Sequence, residues 1–508
     1  MFISSVSTVV PKTRKVFEAL NIPYGVIVTP FVAEVLPRVQ FPRGEIVRCL
    51  CCSSYISLYS RLDFESKSWK CSICTHENEL PQGYSQVFHP NLTELNELNY
   101  EVYAEENYME RPPMSPCFLF LIDISEESVN SGFLFEVCEI IIKSISVKFQ
   151  QNEERTLIGF LLFGNWVHVV NIVPTTQILS FPGSLSESWL PYPSETLIVN
   201  LCENYKDIIK SLKFIQNMQP DGQGRGFRKA LITAKDQLEH IGGKLLCFLY
   251  NPSQESQHPK KLAFLPPTDF YHKISSELVD SHISTDIFVA GNRFCGFFTY
   301  TELAKQTGGE AFYYKDFDKQ QFGRLESDVK KVVEGVKGWE AGLRLRLSTA
   351  WKIYNQYGNF LLKKDLLKIP CCSNASFTFD LAPKFGEHTE NFLTIQGVLL
   401  YTSSDGIRLI RIMNFQAVIE DNIDEILKSL NCDVLINFYF KHAVNLIFNR
   451  HIILSGSKYL ESKAVEVIKD CLIAFGDMPM NLSDFIVKIL GLIKHTIFNN
   501  NYLPCICN

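Results

Sequence analysis

The sequence predicts a multidomain protein in which an α/β domain is followed by an antiparallel β domain and then by a helical region. Between residues 117 and 337, apolar strands alternate with segments of helical period, which is typical of a mainly parallel, doubly wound sheet. From residue 343 the apolar period changes to two, and from about residue 420 it becomes helical. A length of 508 residues also favours several cores over one.

The composition is that of a globular protein, with 46% hydrophobic and 20% charged residues. A net charge of −6 gives no global basic signature, so we expect no nucleic-acid partner. Apolar runs such as 117–122 are far shorter than the roughly 20 residues of a membrane helix, and the amino-terminus lacks the charge order of a secretory signal. We therefore expect a soluble, cytosolic protein with reduced thiols.

Four cysteines before the α/β region have the spacing of a zinc site. Cys49 and Cys52 form one C-x-x-C pair, and Cys71 and Cys74 form the second after residues 53–70. Two thiolates three positions apart in a tight turn can face one ion, and two such turns complete a tetrahedron. The sequence predicts one structural Zn²⁺, because four protein ligands leave no position for water or substrate.

Two neighbouring residues are left out of this predicted site. Cys51 pairs with Cys49 only as C-x-C, which lacks the tight turn, and His76 has no role beside four thiolates. The alternative is four reduced cysteines on loops. The alternating aromatic stretch between the pairs predicts a small sheet.

The α/β domain follows a segment that we interpret as a polar connector, residues 85–112. Its predicted strands are 118–123, a hairpin of 157–164 and 166–173 around Gly164-Asn165, 245–250, 285–291 and 310–315, and its predicted helices are 132–149, 225–243, 300–309 and 320–337. The antiparallel strands that follow are 343–348, 376–382, 393–402 and 406–415, and residues 24–31 have the same character and are expected to join them. The last helical stripe, 483–498, has Ser483 as its predicted N-cap.

The carboxyl end of the first α/β strand is where a doubly wound sheet places ligands. Asp123 and Ser125 there resemble the D-x-S-x-S metal motif of von Willebrand factor A-type domains, but Glu127 replaces the second serine. We expect Asp123 and Ser125 to cap the following loop instead of binding a cation.

No catalytic motif is visible elsewhere. Gly222, Gly224 and Gly226 open a helix, but their spacing matches neither a dinucleotide fingerprint nor a P-loop, so a flexible helix entry is favoured. There is no G-x-S-x-G elbow and no paired histidine spacing. We assign no catalytic residue and expect no enzyme, although a Cys–His pair formed only in space stays open.

The order of these modules and several motifs resemble the inner-coat subunits of COPII vesicles. The motifs are GVIVTPF (25–31), IVRCLCCSSYI (46–56), WKCSICTHENELP (69–81), YMERPPMSPCFLFLIDIS (108–125), HIGGKLLCF (240–248), FYHKISSELVDSHISTDIFV (270–289), TGGEAFYY (307–314) and GWEAGLRLRLS (338–348). They keep the family's order from about residue 24 to about residue 497. Of the two related subunits, the cargo adaptor is the more similar.

The resemblance implies five regions. They are an amino-terminal segment that contributes a strand to the β-sandwich (1–45), a four-cysteine zinc finger (46–86), a von Willebrand A-like trunk (108–340), an antiparallel β-sandwich (341–418) and a truncated helical domain (419–508). The family's gelsolin-like module and its long amino-terminal extension have no counterpart in these residues, so a compact adaptor and a truncated product both stay open.

The resemblance also implies a function. A cargo adaptor pairs through its trunk with the GTPase-activating inner-coat subunit, joins the small coat GTPase, and contacts cargo tails and the ER membrane from the cytoplasm. In the family, arginines beside the first cysteine pair help to bind acidic sorting signals. Arg48 matches the first of them and is the candidate cargo-binding residue, whereas Ser53 stands where the family has a second arginine. The pocket thereby loses one guanidinium fork for a carboxylate.

Two other classes of protein remain alternatives. The GTPase-activating subunit itself needs an arginine from the gelsolin-like module, which has no counterpart here. A nuclear scaffold of a repair or transcription complex, with a zinc finger and an A-type domain, is disfavoured by the net charge and by the early position of the finger.

Overall fold

The computed structural model describes residues 1–32, 35–41, 46–63, 65–81, 92–183, 190, 193–223, 226–252, 269–292, 295–386, 391–450 and 453–495. Its strands are β1 (Ile3–Ser5), β2 (Val9–Val10), β3 (Gly25–Val28), β4 (Arg38–Val39), β5 (Arg61–Asp63), β6 (Ser68–Lys70), β7 (Glu77–Glu79), β8 (Asn99–Tyr103), β9 (Cys117–Asp123), β10 (Leu157–Phe163), β11 (Trp166–Asn171), β12 (Gln177–Pro182), β13 (Val199–Asn200), β14 (Gly243–Tyr250), β15 (Ile283–Gly291), β16 (Ala311–Lys315), β17 (Gly338–Leu347), β18 (Trp351–Tyr357), β19 (Leu361–Lys363), β20 (Leu366–Cys372), β21 (Phe377–Pro383), β22 (Phe392–Thr402) and β23 (Arg408–Ile419).

The α-helices are numbered in the same way. They are α1 (Arg14–Leu20), α2 (Thr93–Asn96), α3 (Glu126–Asn130), α4 (Phe133–Gln150), α5 (Ser194–Leu197), α6 (Leu201–Gln216), α7 (Phe227–Leu238), α8 (Asp269–Asp280), α9 (Phe297–Thr307), α10 (Lys319–Glu334), α11 (Ile423–Lys428), α12 (Cys432–Arg450), α13 (Ile453–Phe475) and α14 (Phe485–Lys494). Short 3-10 turns cover Glu106–Tyr108 and Met480–Leu482.

The central unit is an eight-stranded sheet in the order β12-β11-β10-β9-β14-β15-β16, with β13 beside β10. Strands β9, β10, β14, β15 and β16 run parallel, whereas β11 and β12 form antiparallel ribbons. Every residue of β9 and β14 is buried, because helices cover both faces of the sheet. The predicted doubly wound α/β domain and its hairpin around Gly164-Asn165 are confirmed.

The antiparallel part is a sandwich of two sheets. One has the order β1-β3-β21-β18, and the other has the order β19-β20-β17-β22-β23-β8-β4 with β2 beside β23. One apolar cluster fills the space between the two sheets and continues into the helical region. The amino-terminal strand β3 pairs with β21, so residues from the two ends of the chain share one core.

The prediction of a polar connector over residues 85–112 is wrong where the structure describes it. Strand β8 lies in that range and pairs with β23. Its charged residue Glu101 is buried and bonded by the Arg411 guanidinium at 2.6 Å and by the Tyr401 hydroxyl at 2.6 Å. A charged residue of this segment is therefore a buried part of the sheet, and two of its partners, Tyr401 and Arg411, lie some 300 positions away in sequence. Residues 82–91 lie outside the described part.

The four helices α11–α14 pack on the sandwich. Phe438 of α12 lies so close to Gly25 that a side chain there would meet the ring at 2.5 Å, so this docking requires glycine. The predicted N-cap at Ser483 is wrong: α14 begins after Asp484, which makes no side-chain capping bond, and Ser483 ends the preceding 3-10 turn. Residues 496–498 of the predicted helix lie outside the described part.

Candidate functional site

The two cysteine pairs lie on two turns of the same geometry. The carbonyl of Cys49 accepts from the amide of Ser53 at 2.9 Å, and the carbonyl of Cys71 accepts from the amide of Thr75 at 3.0 Å. Ser53 and Thr75 both have left-handed backbone angles, with φ of 57° and 60°. The sheet β5-β6-β7 supports the second turn, with Trp69 buried behind it. Each turn thus directs a pair of thiols towards the other.

The four thiols lie together in space. All four sulfur atoms are within 4.8 Å of one another, with Cys49 and Cys74 at 3.5 Å and Cys52 and Cys71 at 3.6 Å. Four sulfur donors at this spacing could hold one tetrahedral Zn²⁺. Cys51 is exposed and outside the group.

Polar groups and burial act unequally on the thiols: the pKa of Cys52 is lowered, whereas those of Cys71 and Cys74 are raised. The hydrogen bond from the Cys71 thiol lowers the pKa of Cys52 to about 4 and raises that of Cys71. The Asn78 amide donates to the sulfur of Cys49 at 3.5 Å, and the amide of Ile73 donates to that of Cys71 at 3.3 Å. Such second-layer donors orient thiolates and stabilise their charge.

Arg48 lies directly before the first turn and is held by the finger together with Tyr108, which lies outside it. Its Nε and Nη2 donate to the carbonyl of Ser53 at 3.2 and 3.1 Å, and its Nη1 donates to the Tyr108 hydroxyl at 2.9 Å. The guanidinium also lies over the ring of Tyr55, 4.9 Å from the centroid. Arg48 is therefore a positioned, half-buried cation.

Two further arginines lie on β17, which contacts the finger through Arg346, and neither was identified from the sequence. Arg346 donates from Nε to the carbonyl of Cys52 at 3.2 Å, and burial together with the nearby Arg48 lowers its pKa. Arg344 binds Asp365 at 3.0 Å. Among the described residues, Nη1 of Arg346 and Nε of Arg344 are buried donors without a hydrogen-bond acceptor. The period-two pattern of LRLRLS already placed both arginines on one face of a strand.

Two hydrogen bonds between the main chain of the finger and one side chain of the sandwich help to fix the two units together. Gln396 of β22 accepts from the amide of Tyr55 at 2.7 Å and donates to its carbonyl at 3.0 Å. Since Gln396 pairs with Arg346 across β17 and β22, finger and sandwich present a single surface that carries three guanidinium groups.

Both carboxylate oxygens of Asp123 in the α/β domain accept hydrogen bonds from main-chain amides. Oδ1 accepts from the amide of Ser125 at 2.8 Å, and Oδ2 accepts from the amide of Tyr250 at 3.0 Å. Burial raises the pKa of Asp123 to about 6. Ser125 is the N-cap of α3 and accepts from the amide of Ser128, as the sequence indicated.

Three family models match the chain in the order in which these units occur. They are the Sec23/Sec24 zinc finger over residues 46–84, the Sec23/Sec24 trunk domain over residues 113–333 and the Sec23/Sec24 beta-sandwich domain over residues 338–419. The chain therefore belongs to the Sec23/Sec24 family. The zinc finger match and the four clustered sulfur atoms are consistent with one structural zinc ion.

Within the family, the chain is homologous to the Sec24 proteins. It is 24% identical to the protein transport protein Sec24A of Bos taurus, with 97% of this chain and 48% of that protein covered. It is 25% identical to human Sec24B and 26% identical to SEC24 A of Arabidopsis thaliana, covering 97% and 86% of this chain and 41% and 45% of those proteins. The chain spans about half the length of these curated relatives or slightly less.

A solved structure has the same fold. The human COPII-coat protein Sec24c aligns with a TM-score of 0.86 at 20% identity, covering all of this chain and 74% of that chain. Within the described residues, no helix combines the length and the apolar character that membrane crossing requires.

Proposed function

We propose that the chain is a COPII coat subunit that selects cargo and takes part in coat assembly during ER-to-Golgi transport, without catalysing a reaction. Membership of the Sec23/Sec24 family and homology to Sec24 transport proteins support this assignment. The alternative of a GTPase-activating subunit receives less support, because the relatives cited above are all Sec24 proteins. The nuclear scaffold has no support among them.

We further propose that Cys49, Cys52, Cys71 and Cys74 are the zinc ligands. The clustering of their sulfur atoms supports the assignment, and Cys51 is not included because it is exposed outside the cluster. A closed four-thiolate site gives the ion no free position. Its role is then to fix the two turns, and through them the position of Arg48.

The cargo site that we propose is the surface formed by Arg48, Arg344 and Arg346. The observation that supports it most is that buried N–H groups of Arg344 and Arg346 have no acceptor among the described residues, because such groups cost free energy until an acceptor arrives. A carboxylate on the cytosolic tail of a cargo protein supplies both charge and acceptor atoms. With Ser53 in place of an arginine, we expect weaker binding than a four-arginine pocket would give.

The proposed partners follow from the same assignment. They are the GTPase-activating inner-coat subunit, bound through the α/β trunk, the small coat GTPase, and acidic cargo tails, and the proposed location is the cytoplasmic side of ER membranes and COPII vesicles. Pull-down from native cells followed by mass spectrometry tests this set. We expect the other coat subunits and membrane-protein tails; recovery of helicase or transcription complexes without coat subunits would contradict the proposal.

A further inference from the structure

A cavity of about 750 Å³ lies between α1, strands β18 and β21, and helices α12 and α13. We call it the sandwich–helix cavity. Arg48, Arg344 and Arg346 do not line this cavity, so it is separate from the proposed cargo site. Its volume is within the usual range of ligand sites and exceeds what a single ammonium group requires.

A buried carboxylate forms part of the cavity wall. Asp380 is 6% exposed and accepts from the Tyr357 hydroxyl at 3.1 Å and the Asn355 amide at 3.2 Å. His442 Nε2 lies 3.0 and 2.9 Å from its two oxygens. Among the described residues, no lysine or arginine forms an ion pair with Asp380, and His442 is its only ionisable basic contact.

Each ring nitrogen of His442 lies within hydrogen-bond distance of a partner. With Nε2 protonated, the ring donates to Asp380, and Nδ1 accepts from the Tyr459 hydroxyl, 3.3 Å away. Burial raises the pKa of Tyr459 to about 12, so this phenol keeps its proton at neutral pH. Since Asp380 has no lysine or arginine partner among the described residues, a cation that enters the cavity can approach a buried carboxylate.

Aromatic rings form much of the remaining wall, and the rim charges of Lys463 and Glu18 are paired. Five rings line the cavity: Phe17, Tyr24, Tyr354, Tyr357 and Tyr459. Lys463 binds Glu466 at 2.7 Å, and Glu18 binds Arg14 at 2.7 Å. Aromatic faces around one carboxylate are the surroundings that attract an organic cation.

The position of β18 indicates that the cation would belong to a side chain of an extended peptide. In the described part of the chain, β18 pairs only with β21 and so forms one edge of its sheet. An edge strand offers main-chain donors and acceptors to an extended peptide. Tyr354, on this strand, lines the cavity and is 70% exposed.

We propose that the sandwich–helix cavity binds a lysine or arginine side chain of an extended peptide, with the cation among the tyrosine rings and close to Asp380. The site does not depend on the coat function proposed above. The protein would then bind basic peptides in this cavity. The proposed cargo site formed by Arg48, Arg344 and Arg346 is separate and favours acidic peptides.

Fluorescence anisotropy with the full chain at low salt tests the proposal. The probe is labelled Gly-Ser-Lys-Lys-Ser-Gly, and its control is the same peptide with both lysines acetylated, which removes the charge and keeps the shape. We expect saturable binding of the first and at least tenfold weaker binding of the second. No binding, or equal binding of the two, would overturn the proposal.

Variants separate this site from general attraction to an acidic protein. Asp380→Asn and Tyr354→Ser should each weaken lysine-peptide binding at least fivefold, whereas Glu326→Gln, which removes one exposed charge, should leave it unchanged. If Asp380→Asn does not fold, the exposed Tyr354→Ser still decides. Equal affinity of Tyr354→Ser and Glu326→Gln would contradict the proposal.

Discussion

Arg346 of strand β17 donates a hydrogen bond from Nε to the main-chain carbonyl of Cys52, across 3.2 Å. Cys52 is the second cysteine of the first turn, so a strand of the β-sandwich contacts the proposed metal centre directly. Arg48 binds the next carbonyl, that of Ser53, from the other side. The geometry of the arginine surface therefore depends on the same turn that positions the thiols.

The first prediction concerns the metal. Cys49→Ser or Cys71→Ser should reduce the zinc content from about one per chain to near zero and should destabilise the finger strongly, since metal binding supplies much of a small finger's folding free energy. Cys51→Ser is the matched control and should retain the zinc. Zinc measured by plasma mass spectrometry decides; an unchanged content in Cys49→Ser would refute the ligand assignment.

The second prediction concerns Ser53. Ser53→Arg adds a guanidinium beside Arg48 at a position whose backbone bonds do not depend on the side chain. Binding of an acidic peptide should tighten about tenfold, equivalent to about 1.4 kcal/mol, and the gain should shrink as salt rises. Anisotropy with a labelled peptide containing Asp-x-Glu, beside its Asn-x-Gln control, measures it. A gain that is the same for both peptides would argue against carboxylate recognition.

A third prediction follows from Arg346 itself. Arg346→Gln removes a buried cation and the bond to the Cys52 carbonyl, so acidic-peptide binding should fall at least fivefold. The zinc content should stay near one per chain, because no thiol is changed. Loss of zinc together with peptide binding would show that Arg346 acts only through the fold of the finger.

The fourth prediction concerns pH. Burial lowers the pKa of Lys337 from its usual value to about 7, and its ammonium has carbonyl acceptors at Val333 and Gly335. Between pH 7 and about 10.5 the unfolded chain binds a proton there that the folded chain does not, so this residue makes stability rise with pH. Relative to Lys337→Met, the free energy of unfolding should rise by up to about 1.4 kcal/mol per pH unit above pH 7.

Urea unfolding of both proteins between pH 6 and pH 9 measures the effect. The difference between the two free energies should be flat below pH 7, where both states of wild type carry the proton, and should change above it. Parallel profiles over the whole range would show that the Lys337 ammonium stays charged in the folded protein.

A fifth prediction tests how trunk and sandwich are joined. Glu340 is buried and bonded by Arg111 at 2.7 Å and by Thr402 at 2.9 Å. Glu340→Gln leaves the guanidinium without its carboxylate and should cost about 3 kcal/mol. Glu326→Gln, at the exposed pair with Lys143, should cost less than about 1 kcal/mol. Equal costs in denaturant unfolding would contradict a joining role for Glu340.

The sequence predicted those structural features that depend on residues close together in the chain. The apolar runs of β9 and β14, the cysteine spacing and the capping role of Ser125 all follow from neighbours a few positions apart. The sequence did not indicate that Gln396 would bond the backbone of Tyr55, because those residues are brought together only by the docking of two domains.

The arginine surface shows the same limit. Arg48 was identified because it matches an arginine that the family places before the first zinc cysteine, whereas Arg344 and Arg346 lie almost 300 positions further on. The sequence showed that both arginines lie on one strand, but it did not show that this strand would face the zinc finger. Likewise, residues 85–112 were interpreted as a connector from their polar composition, because the pairing of Glu101 with Arg411 could not be inferred from spacing.

Assembly with the GTPase-activating inner-coat subunit tests most directly whether the chain is a coat subunit. The two purified proteins are mixed and separated by gel filtration at low and at moderate salt. We expect co-elution as a one-to-one complex that survives moderate salt. Separate elution under both conditions would contradict it.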